Sequence, residues 1–309
     1  MVARVATFMN RPAFSLGNVG RQLLSLVWLA VSAGLLLAVR DTSAARLFTV
    51  KAALFGGSTA TALYVTLAIA MGVMLFAGVL KGSTGFGAQP VAVPALALLV
   101  GTKPAILLVF IPVLVTNVWL MLGRRVDPAL LRRFVPLIAA LVPATIVGSI
   151  LLAKVNVLIL TTIVGVVALV YVMLTLLGKQ FNASPRYERA VSMAIGAGVG
   201  LVNGSTGIPG PFVAMYFSGL KLDKRLFVYV ITFIFLTGNV VQLLTYSKLG
   251  LYPTPMLLGA AALVPPFLLG QNIGLRIQDR LNPELFRRGV LVIIAISGLN
   301  LLAKGLGWL

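Results

Sequence analysis

The chain has 309 residues, of which 60% are hydrophobic and only 10% are charged, and its mean hydropathy is +1.06. Soluble domains carry about 25% charged residues, so we expect this chain to reside in a lipid bilayer. It has no cysteine and no histidine, which excludes disulfide frameworks and the usual zinc and Ser-His-Asp sites. The net charge of +19 does not indicate nucleic acid, because the basic residues form short clusters between apolar runs, as in membrane proteins.

Long apolar runs predict an all-α integral membrane protein. In chain order they occupy 23–39, 52–80, 88–100, 104–123, 134–153, 155–178, 190–203, 208–220, 226–246, 251–275 and 289–303. A helix needs about 20 residues to cross a bilayer. The runs at 88–100, 190–203 and 208–220 have 13 or 14 residues, so we predict half-helices or re-entrant limbs there and about seven full spans elsewhere.

The first run, 23–39, follows 22 residues that contain three arginines and no acidic residue. Signal peptides share this pattern. Because no clear small-residue cleavage site follows, we favour an uncleaved first helix. The topology downstream is the same in either case.

An internal repeat organises the rest of the chain. The segment Gly78-Val-Leu-Lys-Gly-Ser-Thr-Gly85 returns as Gly200-Leu-Val-Asn-Gly-Ser-Thr-Gly207, at a spacing of 122 residues. The same spacing matches Asn117 to Asn239, and it continues as far as Gly148 and Gly270 without a gap. We therefore predict a basic N-terminal segment with one helix and an external loop (1–51), a first repeat (52–178) and a second repeat (179–309).

The distribution of charge predicts that the two repeats are inverted. If the limbs around each Gly-Ser-Thr-Gly motif form a hairpin, 17 basic residues lie on one side of the membrane and seven on the other. The positive-inside rule makes the first side cytoplasmic, with the N-terminus inside and the C-terminus outside. The first repeat then begins outside and the second begins inside.

Inverted repeats with interrupted helices are typical of secondary transporters, whose substrate site lies near the midplane. Glycines in each motif allow the backbone to unwind, and the half-helix that follows presents a partly positive N-terminus suited to an anion. Hydroxyl groups and one lysine add donors and charge. The residues predicted to bind substrate are Lys81, Gly82, Ser83, Thr84, Gly85, Gln89, Asn117, Asn203, Gly204, Ser205, Thr206, Gly207 and Asn239.

Each of these residues also has a structural interpretation. The spacing of Gly78 and Gly82 is typical of helix packing, although two copies in inverted register favour a binding site. Asn117 and Asn239 suit an interhelical hydrogen bond as well as they suit ligand contact. Gln89 beside the first motif is a weaker candidate.

Acidic residues are informative because none falls inside an apolar run. All six lie in predicted loops or at helix ends, at Asp41, Asp127, Glu188, Asp223, Asp279 and Glu284. A proton relay or a cation site would need a carboxylate in the bundle, so an anionic substrate is favoured. We expect no catalytic residue, no metal and no cofactor, and the partners expected are a small anion and the bilayer.

The motif Gly78-Val-Leu-Lys-Gly-Ser-Thr-Gly-Phe-Gly87 and its second copy resemble those of the sulfite exporter TauE/SafE family, also called the toluene sulfonate uptake permease family. The resemblance covers about 52–309. It implies transport of sulfite, organosulfonates such as sulfoacetate or taurine-derived compounds, or related small anions across the bacterial inner membrane. The second copy departs from the first where 208–211 reads Ile-Pro-Gly-Pro, so the two loops are not expected to have the same shape.

Two other functions remain to be weighed. An anion channel or passive uniporter would use the same site, and it would show single-channel currents where a carrier shows saturable flux. A membrane-embedded enzyme acting on lipid would need a polar catalytic cluster at the interface, which the sequence does not contain.

Overall fold

The structure is a computed structural model that describes residues 59–84, 87–122, 128–177, 188–209, 213, 216, 224–277 and 283–308. Within the helices, the side chains of 59–64, 84, 128–131, 224–228 and 283–290 are outside that description. The predicted first helix at 23–39 and most of the predicted half-helix at 208–220 also lie outside the described residues.

The described residues are almost entirely helical, which confirms the predicted all-α fold. The helices are α1 (Thr59–Thr84), α2 (Ala88–Val100), α3 (Thr102–Met121), α4 (Pro128–Lys154), α5 (Val157–Leu177), α6 (Glu188–Thr206), α7 (Lys224–Lys248), α8 (Thr254–Ala262), α9 (Val264–Ile277) and α10 (Pro283–Gly305). The short helix α2 has the bounds that the sequence predicts, and its 13 residues extend about 20 Å.

Three predicted segments differ from the helices observed. Helix α1 continues to Thr84, through Gly-Ser-Thr of the first motif, and its 26 residues extend about 39 Å. The run at 190–203, which the sequence predicts as a half-helix, is part of a longer helix. This is α6, whose 19 residues likewise include Gly-Ser-Thr. The run at 251–275 is divided at Leu263 into α8 and α9, since Pro265 and Pro266 have no N–H to continue the helical hydrogen bonds.

Six segments of the described chain are long and apolar enough to cross a membrane: Val65–Ser83, Thr102–Met121, Arg132–Lys154, Val157–Leu177, Tyr229–Lys248 and Thr254–Ile277. Their outward faces are apolar; on α5, for example, Leu158, Ile159 and Leu176 are more than half exposed. Such a surface is suited to lipid and not to water. The chain is a multi-pass membrane protein.

Glycines hold two pairs of helices at unusually close range. A Cβ atom built on Gly82 of α1 would lie 2.1 Å from the carbonyl oxygen of Gln271 on α9, and one built on Gly204 of α6 would lie 2.4 Å from that of Thr145 on α4. No larger residue permits such contact between backbones. Along each pair the residue numbers rise together, so α1 runs parallel to α9 and α4 runs parallel to α6.

These contacts reveal a second spacing between the two halves. The carbonyl oxygens of Leu141 and Thr145 face Gly200 and Gly204, whereas those of Phe267 and Gln271 face Gly78 and Gly82. Residues in equivalent contacts on α4 and on α9 are therefore 126 apart, four more than the gap-free sequence register predicts. Four residues make about one helical turn, so a helix shifted by four residues presents nearly the same face to its neighbour. The apolar pattern of the sequence therefore does not reveal the shift. Helix α7 absorbs the extra turn, being 25 residues long where α3 has 20.

Candidate functional site

Lys81 lies in the last turn of α1 and is 4% exposed. Its Nζ atom donates to three oxygens of α3: Oγ1 of Thr116 at 2.5 Å, Oδ1 of Asn117 at 2.6 Å and the carbonyl oxygen of Val113 at 3.4 Å. The ring of Phe267, on α9, lies 5.7 Å from Nζ. We call Lys81, Thr116 and Asn117 the lysine cluster.

The hydrogen bonds of the lysine cluster have a fixed direction. The hydroxyl of Thr116 donates to the carbonyl of Val113 at 2.9 Å, so its oxygen accepts from Lys81. An ammonium group has three protons and accepts nothing, and the three oxygens around Nζ match them. Asn117 therefore presents Oδ1 to the lysine, and its Nδ2 group is buried without a partner among the described residues.

No carboxylate neutralises Lys81 in the part of the chain that the structure describes, where the single ion pair joins Arg133 to Glu188. A buried charge normally requires a partner of opposite sign, because losing water costs several kcal/mol per ion. Neutral oxygens replace part of the hydration of Lys81 but not its missing counter-charge. An anion would supply the counter-charge that a protonated Lys81 lacks among the described residues.

The second motif forms a different cluster around Asn203, the residue that corresponds to Lys81. Asn203 donates from Nδ2 to Oε1 of Gln242 at 3.0 Å, and Gln242 donates back to the carbonyl of Asn203 at 3.1 Å. Gln242 also donates to the hydroxyl of Tyr246 at 2.7 Å, and Tyr246 donates to the carbonyl of Gly204 at 2.7 Å. We call Asn203, Gln242 and Tyr246 the asparagine cluster, and it carries no charge.

The predicted hydroxyl donors of the motifs make hydrogen bonds within their own helices. Ser83 donates to the carbonyl of Leu80 at 3.0 Å, Ser205 to that of Leu201 at 2.7 Å, and Thr206 to that of Val202 at 2.8 Å. The side chain of Thr84 and the whole of Gly85 lie outside the described residues. Each of these three hydroxyl groups could donate to an anion only if it first turned away from the helix carbonyl that now accepts its proton.

The glycines of the motifs have two separate roles. Gly82 and Gly204 lie inside helices and allow close packing, so the backbone does not unwind at them as the sequence suggested. Gly207 has a φ of 70° and ends α6, and Gly87 has a φ of 97° just before α2. Such positive φ angles favour glycine. Within the described residues, no side chain makes a capping hydrogen bond at the N-terminus of α2. Gln89 lies in the first turn of α2 and is partly buried.

The helix bundle buries further polar residues outside the two clusters. Asn239 is 1% exposed, and its Nδ2 group has no partner among the described residues, like that of Asn117. Sequence reasoning missed Thr116, Thr145, Gln271 and Tyr246. Gln271 carried a signal, since an amide in an apolar run is costly. Tyr246 carried none, because it lies in the extra turn of α7.

The described chain is thus a bundle of apolar helices long enough to cross a membrane, and it encloses the side chain of a buried lysine. The profile of the sulfite exporter TauE/SafE family matches residues 69–301. The chain belongs to this family and is a membrane transporter, not an enzyme. Separate searches of curated proteins and of solved structures found no significant match.

Proposed function

We propose that the protein transports a small anion, either sulfite or an organosulfonate such as sulfoacetate or a taurine-derived compound. The observation that carries this proposal is the buried ammonium of Lys81, which contacts three neutral oxygens and, within the described residues, no carboxylate. A sulfonate or sulfite group supplies the missing negative charge and accepts several hydrogen bonds at once. The sulfur oxyanion itself is suggested by the family to which the chain belongs.

The site that we propose centres on the lysine cluster and extends along both motifs. The Nδ2 groups of Asn117 and Asn239 are amide donors that have no partner among the described residues. Gln89 and the turn before α2 add donors at the N-terminus of a half-length helix. Of the other predicted residues, Asn203 and Gly204 take part through the asparagine cluster. Ser83 and Thr84 are the last residues of α1, Ser205 and Thr206 are the last of α6, and Gly207 follows α6; Gly85 is included from the sequence motif alone.

Alternating access is the mechanism that the helix directions support. Consecutive spans cross a bilayer in opposite directions, so α4 opposes α5. We propose that α10, whose apolar part Leu291–Gly305 is shorter, crosses as well, in which case α9 opposes α10. The contacts of Gly165 with Leu302 and of Gly305 with Thr162 make α5 antiparallel to α10, while α1 runs parallel to α9. Together these relations give α1 and α6 opposite directions, as expected for inverted repeats, in which one half rocks against the other around a central site.

We further propose that the protein lies in the bacterial inner membrane with its N-terminus in the cytoplasm and its C-terminus outside, as the basic loops indicate. Cysteine labelling from outside the cell tests this orientation. A cysteine in place of Lys248, in the last turn of α7, should react with an impermeant thiol reagent, whereas one in place of Arg125 should not. Labelling at position 125 would overturn both the orientation and the inverted arrangement.

Flux into proteoliposomes tests the function. We expect saturable uptake of sulfite or sulfoacetate that is inhibited by the other anion and is absent from empty vesicles. Single-channel currents across a planar bilayer would support the alternative, an anion channel or passive uniporter. Saturable transport of a cation, with no flux of either anion, would contradict the proposal.

A further inference from the structure

Gln271, near the middle of α9, is fully buried, and neither polar atom of its side-chain amide has a hydrogen-bond partner among the described residues. A glutamine side chain offers two donor protons and an acceptor oxygen. Burying such a group without partners costs free energy, which a leucine at the same position would not cost. The position therefore calls for a role beyond structure.

The backbone contacts of Gln271 place it beside Lys81. Its carbonyl oxygen lies 2.1 Å from the point that a Cβ atom on Gly82 would occupy, and Gly82 follows Lys81 in α1. Phe267, whose ring lies 5.7 Å from the Nζ atom of Lys81, precedes Gln271 by four residues. Side chains four residues apart lie on the same face of a helix, so Gln271 is one turn further along the face that carries Phe267.

The corresponding position in the other half of the molecule is also polar. Thr145 faces Gly204 as Gln271 faces Gly82, and its hydroxyl is buried without a partner in the described part of the chain. Thr145 lies beside the asparagine cluster: its Oγ1 atom and the Nδ2 atom of Asn203 lie 3.9 and 3.3 Å from a Cβ atom built on Gly238. Thr145 thus provides the same geometry next to a neutral cluster.

We propose that Gln271 binds the transported anion by donating from its side-chain amide, next to Lys81 and to the Nδ2 group of Asn117. This inference rests on the proposed anion transport and assigns the anion to the lysine cluster. An oxyanion there receives charge from Lys81 and hydrogen bonds from two amides that have no other partner among the described residues. Gln271 is then a determinant of anion affinity, and Thr145 is not.

Substitution of Gln271 by leucine separates binding from structure because the two roles predict different results. The full-length protein in detergent is titrated with sulfite and with sulfoacetate, and its melting temperature is measured without anion. For Gln271→Leu we expect an affinity about tenfold weaker and an unchanged or higher melting temperature, since an unsatisfied polar group is removed. The matched control, Thr145→Val, also removes an unsatisfied group, and it should leave affinity unchanged.

The variant Gln271→Glu retains size and polarity and adds a negative charge, so it should abolish binding of both anions while it remains folded. Unchanged affinity in either Gln271 variant would overturn the inference and leave the proposed function standing. An equal loss in Thr145→Val would overturn the assignment of the anion to the lysine cluster. If the parent protein binds neither sulfite nor sulfoacetate, the proposed function fails together with the inference.

Discussion

The two motif helices share a backbone arrangement and differ in chemistry. Helix α1 packs along α9 and helix α6 packs along α4 through glycines in corresponding positions, with nearly the same close approach at Gly82 and at Gly204. The residue before the packing glycine is Lys81 in one motif and Asn203 in the other. The lysine donates to three oxygens of one neighbouring helix, whereas the asparagine belongs to a chain of neutral amide and phenol groups.

This difference indicates that the packing glycines and the polar residues beside them can vary separately. The neighbours of Lys81 and Asn203 also differ. Thr116 accepts a hydrogen bond from Lys81, whereas Gly238, at the same place in the second half, has no side chain, and a Cβ atom built there would lie only 3.3 Å from Nδ2 of Asn203. The neutral cluster is further anchored by Tyr246, from the extra turn of α7. One half thus has a lysine beside its packing glycine, and the other half has a neutral asparagine there.

The largest effect should come from adding a methyl group at the close glycine contacts that the two halves share. Gly82→Ala and Gly204→Ala each place a methyl group 2.1–2.4 Å from a backbone oxygen of the facing helix, and we expect both to cost about 3 kcal/mol of stability, near the upper end for overpacking. Melting temperature in detergent measures this. Gly72→Ala and Gly198→Ala are matched controls on the same helices, since nothing lies within 4 Å of their added methyl groups. Tolerance of both test substitutions would show that the close helix contacts do not exist.

The next effect concerns the charge that distinguishes the halves. Lys81→Asn gives both motifs a neutral asparagine and should weaken sulfite or sulfoacetate binding about hundredfold, because the buried charge that attracts the anion is lost. Isothermal titration of the purified variant measures it. Lys103→Asn is the control, because Lys103 donates to the carbonyl of Ala153 at 2.9 Å, away from the lysine cluster. Equal losses in the two variants would mean that overall charge, and not the lysine cluster, attracts the anion.

A smaller effect is expected for the motif hydroxyls. Thr206→Val removes a hydroxyl that donates to the carbonyl of Val202, so anion affinity should fall by less than about threefold if that bond persists when the anion binds. Thr245→Val removes the same kind of bond from α7 and serves as the control. A tenfold loss specific to Thr206→Val would show that the hydroxyl turns toward the anion, as the sequence motif suggests.

The smallest effect should come from the acidic residues. Glu188 accepts from Nε of Arg133 at 2.7 Å, and both side chains are about a third to a half exposed, so the pair contributes about 0–1 kcal/mol. Glu188→Gln should leave the transport rate and its dependence on a pH gradient unchanged in proteoliposomes, and so should the amides of the other five acids. Loss of the pH dependence in any one of these variants would identify that carboxylate as a proton carrier.

Most of the helices follow from the sequence because hydropathy is a local property. The bounds of α2 were predicted correctly, and five of the six candidate spans begin and end within three residues of an apolar run. The sixth, Val65–Ser83, begins well inside the run 52–80, of which the part before residue 59 lies outside the described residues. Two errors lie at the motifs, where glycine, serine and threonine suggested an unwound backbone and the helices continue. The others are the division of 251–275 at Leu263 and the spacing of 126 rather than 122 residues between α4 and α9. Packing of Gly82 and Gly204 against a facing helix outweighs their low helix propensity, and a single apolar run does not reveal which helix faces it.

For the candidate site, the sequence by itself determined which polar residues enter the apolar bundle, and it singled out Lys81 and its pairing with Asn203. Its composition excluded cysteine and histidine chemistry outright. Only the tertiary structure decided the partners: that Lys81 donates to Thr116 and Asn117, that Gln271 lies beside Gly82, and that equivalent contacts on α4 and α9 are 126 residues apart. The physical reason is that hydrophobicity acts residue by residue, whereas a hydrogen bond depends on the register of two helices distant in the chain, and a shift of one full turn leaves the apolar pattern almost unchanged.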